Sequence, residues 1–185
     1  LSETIDKNDK TLNANFYSKW FIKIIENCLT NSPVLVEICI IIIIKLIYIC
    51  NSICFLDQYF IDLYFYLLDK FNDKKMYEFK IESSNDPIIN LRIQIMRLIS
   101  FISADETRIL TCINHTQQII QYLEETQNDM LVLFYSSFVL NVLKYKNKTQ
   151  SSLEFNLKIS TVINLINSQN IKIKQLGIEL FNQFL

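Results

Sequence analysis

Apolar residues along the chain recur at helical spacing, in blocks separated by short polar clusters. Trp20, Phe21, Ile24, Ile25, Cys28 and Leu29 fall at i, i+1, i+4, i+5, i+8 and i+9, one face of a helix. Longer apolar blocks follow, broken near 31–33, 51–54, 72–87, 103–107, 125–129, 145–152 and 167–170. Four of these breaks are turn-like: Asn31-Ser32-Pro33, Asn85-Asp86-Pro87, Asn128-Asp129-Met130 and Ser168-Gln169-Asn170. Asn, Asp or Ser at such a point caps the orphan N–H groups of the following helix, and Pro is tolerated in its first turn. The pattern predicts eight helices in four antiparallel pairs. The first members are Trp20 to Leu29, Phe55 to Phe71, Ile109 to Leu123 and Leu153 to Ile166.

The second members superimpose. Glu37, Arg92, Leu133 and Lys174 share one slot, and three residues on come Ile40, Ile95, Ser136 and Gly177. Ten past the first slot lie Ile47, Ile102, Leu143 and Phe184, all apolar. From Arg92 to Leu133, and again from Leu133 to Lys174, the step is 41 residues, within the armadillo/HEAT range of about 40–47. The earlier step, from Glu37 to Arg92, is one period with 14 residues added, which fall within Asn72 through Asp86. We expect an inserted loop at 72–86. Gly177 is the only glycine. A mid-helix glycine costs on the order of 1 kcal/mol against alanine, so a close helix approach is expected there. The fold expected is all-α, an armadillo/HEAT-like α-α superhelix over residues 1–185 as one domain. The apolar pattern is still running at Leu185, and a longer repeat protein is expected.

Composition narrows the function. Half of the 185 residues are hydrophobic and the net charge is −1, so neither a disordered tail nor a nucleic-acid footprint is indicated. The run from Val34 to Leu56 approaches the roughly 20 apolar residues of a membrane span. Glu37, Lys45, Asn51 and Ser52 interrupt it, and the expectation is a buried solenoid helix without membrane contact. Five cysteines lie mostly in apolar runs, as reduced thiols of a cytosolic or nuclear protein do.

Little catalytic chemistry is available. His115 is the only histidine, with Cys112 three residues before it. A thiol nucleophile needs an electropositive neighbour to lower its pKa, and none is near in sequence. Cys50, Cys54, Cys112 and His115 make a Cys3His zinc set in principle, but not at the spacing of compact zinc modules. The chain is expected to be no enzyme and to need no cofactor. Second-helix faces are expected to bind a protein partner, with Arg92, Arg97, Asn141 and Lys174 as contacts.

One stretch carries a closer likeness. It runs from Leu91-Arg92 through Leu98-Ile99, Ile102-Ser103, Glu106 and Cys112, and on past Leu123. It continues with Asp129-Met130-Leu131-Val132 to Val139 and Leu143. Over these residues, 91–143, the chain resembles the 26S proteasome non-ATPase regulatory subunit 5 family, departing from it at Leu133 and in the 72–86 insertion. The resemblance implies a non-catalytic chaperone of proteasome base assembly. Such a chaperone grips the C-terminal domain of a base ATPase subunit and delays its docking on the core particle. The alternative expectation is a structural segment of a larger trafficking or kinase-regulatory scaffold.

Overall fold

The computed structural model of the chain describes Lys23 and residues 32–50, 53–72, 86–152 and 154–184. All regular structure among these residues is helical. The expected helix from Trp20 to Leu29 and the interior of the inserted loop, 73–85, lie outside the described residues. The chain divides into two compact units, one up to Ile95 and one from Met96.

In the first unit, α1 spans Pro33–Cys50. Its isoleucine run suits a strand as well as a helix, because β-branching lowers helix propensity. Burial decides. Val36, Ile40, Ile43, Ile44 and Ile47 are all buried, a spacing that only a helix places on one face. Pro33 occupies the first helical position, where its missing N–H costs nothing. Burial also pushes the Glu37 carboxyl pKa up. Among the described residues no helix is long and apolar enough to cross a membrane.

A 3-10 turn, Ile53–Leu56, leads into α2, Gln58–Lys70. The turn is anchored by the Tyr64 hydroxyl, which donates to the Phe55 carbonyl at 3.0 Å inside the core. The Phe55 and Phe60 rings meet edge to face at 5.2 Å. Phe60, Ile61, Tyr64, Phe65, Leu67 and Leu68 are buried on α2. Each such side chain contributes roughly 1.5–3 kcal/mol by leaving water. Helix α3, Pro87–Ser103, opens with the Asp86 carboxylate accepting from Ile88 N–H at 2.8 Å and runs through the boundary between the units.

The second unit continues α3 from Met96. A helical turn, Ile109–Cys112, and a 3-10 turn, Ile113–His115, lead into α4, Thr116–Glu125. Helix α5, Asp129–Thr149, has 21 residues and packs against both α4 and α7. Its length of about 31 Å follows from the 1.5 Å rise per residue. The Asn128 side chain caps it, accepting from Met130 and Leu131 N–H at 3.1 and 3.2 Å. Lys146 and Lys148 in its last turn complement the helix dipole. Gln150 ends it in the left-handed conformation, φ 50°.

Helices α6, Ile159–Ile166, and α7, Ile171–Asn182, form the last hairpin, with Asn170 capping α7 by accepting from Lys172 N–H at 3.1 Å. The expected helix from Leu153 is shorter than the apolar pattern suggested. Between the left-handed Gln150 and α6, residues 154–158 are not helical. The Asn156 N–H donates to Gln117 Oε1 at 2.9 Å, and Leu157 is buried. Anchoring of this non-helical segment replaces the helical ladder. The 3-10 turn at Ile113–His115 likewise breaks the continuous helix expected from Ile109 to Leu123.

Gly177 lies where α7 meets α6. A Cβ there would stand 2.7 Å from Ile166 N and 2.8 Å from Leu165 Cβ, too close for any side chain. Ser136, one period earlier, is fully buried on α5.

Candidate functional site

Within the second unit, polar side chains bridge segments about one period apart. Asn141 Nδ2 of α5 donates to Ser103 Oγ of α3 at 3.1 Å. Lys144 of α5 pairs with Glu179 of α7 at 3.0 Å, and Asn147 Nδ2 donates to the Gln183 carbonyl at 3.0 Å. Lys148 reaches Glu106 at 2.6 Å, Lys158 reaches Glu124 at 2.5 Å, and Asn170 Nδ2 donates to Asp129 Oδ2 at 3.1 Å. Partners in these contacts are separated by 34 to 42 residues. The ion pairs are largely exposed, so each is worth at most about 1 kcal/mol; the buried apolar side chains dominate stability.

The four expected contact residues fall in different surroundings. Arg92 is half-buried on the part of α3 that belongs to the first unit. Arg97 is exposed on α3 and Lys174 is exposed on α7, both in the second unit. Asn141 is half-buried, and its amide bonds α5 to α3. A side chain so engaged serves the fold first. Sequence periodicity assigned Asn141 to the right helix but could not reveal that hydrogen bond, which depends on where the preceding helix lies.

A cavity of about 430 Å³ opens between Leu123, Glu124, Asp129, Lys158, Thr161 and Asn164. Its charges answer one another. Glu124 accepts from Lys158 on one oxygen and from Thr161 Oγ1, at 3.3 Å, on the other. Asp129 accepts from Asn170.

Cys112 is buried and its Sγ lies 3.7 Å from Thr111 Oγ1. His115 Nδ1 lies 3.4 Å from Gln118 Oε1. The side chains of Cys50 and Cys54 lie outside the described residues. Among those described, no group of three His, Cys, Asp or Glu side chains could hold a metal. The Asp105 carboxyl has a lowered pKa. Hydrogen bonds from the Thr107 hydroxyl and backbone N–H stabilise its carboxylate, aided by Arg108. The group is exposed and caps a turn. Compared with protein families, curated proteins and solved structures, the chain matches none.

Proposed function

We propose that the chain is a non-catalytic, protein-binding α-α superhelix of armadillo/HEAT type. The observation that carries this reading is the set of contacts between segments 34 to 42 residues apart, among them Ser103 with Asn141 and Lys144 with Glu179. In a stacked array each hairpin touches its neighbours, and contacts between units recur at the repeat length. Arrays of this kind present long surfaces to protein partners. Exposed Arg97 and Lys174 are the contact residues most available on such a surface.

The specific role we propose is that of a chaperone of 26S proteasome base assembly, binding an ATPase subunit. Its support is the resemblance over residues 91–143 to the non-ATPase regulatory subunit 5 family. The test is capture of the full chain from native lysate, with its partners identified by mass spectrometry. Recovery of proteasomal base ATPases, repeated with a purified ATPase C-terminal domain, is the expected result. Their consistent absence overturns the chaperone role.

A further inference from the structure

The cavity of the second unit lies between two neighbouring hairpins, with α4 and the start of α5 on one side and α6 and the start of α7 on the other. Its lining has two characters. Leu123, Leu165 and Ile173 supply buried aliphatic surface, whereas Glu124, Asp129, Lys158, Ser160 and Asn164 are polar. The volume, about 430 Å³, falls in the range of roughly 300–1,000 Å³ found for ligand pockets.

Charge selects the class of ligand. Two carboxylates line the cavity against one lysine. That lysine ends the non-helical segment 154–158 and lays its ammonium on Glu124 Oε2. Lys158 is 61% exposed and Glu124 only 20%. The acceptor is built into the wall while its donor stands in solvent, and so exposed a donor is held weakly. Among the described residues Asp129 uses only Oδ2, towards Asn170, and the side chains of Ser160 and Asn164 make no hydrogen bond. A guanidinium suits this lining better than an ammonium does. Its planar fork takes both oxygens of a carboxylate, and its methylene stem covers aliphatic surface.

We propose that the cavity receives an arginine side chain of a partner protein, which takes Glu124 from Lys158 and lays its stem against Leu123, Leu165 and Ile173. Asp129 adds a second carboxylate, and Ser160 and Asn164 meet the backbone beside the arginine. The proposal rests on the protein-binding reading above and names a subsite for it.

The probe is Nα-acetyl-arginine methylamide, titrated against the isotope-labelled full chain and followed by NMR. Saturable shifts gathered in residues 123–132 and 158–173 are expected, with the uncharged citrulline analogue about tenfold weaker. Glu124→Gln should weaken binding about tenfold. Lys158→Ala removes the internal competitor and should tighten binding about twofold or more. Lys144→Ala, the same change of charge elsewhere, should leave it unchanged. Amide spectra check that the variants are folded, and Lys158→Ala, on an exposed side chain, keeps the test decisive if Glu124→Gln unfolds. No saturable shifts, shifts gathered elsewhere, or equal binding of the citrulline analogue overturns the proposal. So does indifference to Lys158→Ala or to a folded Glu124→Gln variant. Agmatine carries the same cation without peptide groups and should bind more weakly; equal or tighter binding assigns the cavity to a free amine and overturns the partner source. Capture of base ATPases is measured in parallel. If that persists while the probe fails, only the cavity assignment falls; if the probe binds and no ATPase is captured, only the chaperone role falls.

Discussion

At Gly177 one hydrogen atom decides how closely two helices approach. Alanine has the better helix propensity by on the order of 1 kcal/mol, yet its Cβ would lie 2.7 Å from a backbone nitrogen of α6. Backbone cannot swing aside as a flexible side chain can. Gly177→Ala is therefore expected to destabilise the protein by about 1–3 kcal/mol in urea titration, overpacking outweighing propensity. The glycine was conspicuous in the sequence because no other exists, and its slot suggested the reason. Asp105 was less legible. The structure gives it local hydrogen bonds from Thr107, which no apolar pattern records. A carboxyl whose folded pKa is lowered adds stability above its ordinary pKa, and loses that contribution as pH falls through the lower folded value. NMR titration should place the Asp105 midpoint below the ordinary 3.8. Thr107→Ala should move that midpoint upward.

At the scale of elements, starts were easier to read than interiors. Asn128 and Asn170 were identified as helix-opening residues from their place before apolar runs, and both accept backbone N–H bonds there. Asn128→Ala should cost about 1 kcal/mol by thermal or urea unfolding, the helix otherwise keeping its register. Two elements depart from the apolar pattern. The 154–158 segment is not helical, and is held by Gln117 and by the burial of Leu157. The 3-10 turn at Ile113–His115 divides what periodicity joins. Periodicity records which positions want burial, but an anchored non-helical segment buries apolar residues too. Propensity has no term for a hydrogen bond made across 39 residues.

For the whole molecule, charge is a minor contributor. The net charge is −1 and the bridging ion pairs are largely exposed. Unfolding free energy should change by less than about 1 kcal/mol between about 0.05 and 0.5 M salt; a larger loss would mean that the bridges contribute more than their exposure implies. The sequence alone determined the all-helical class among the described residues, because its apolar positions recur with a period that only a helix can bury. Tertiary structure alone decided which helix faces are covered. Leu140 and Phe181 occupy the same register and are equally apolar, yet one is buried and the other stands in water. Burial belongs to the neighbour as much as to the residue, and a one-dimensional pattern does not contain the neighbour.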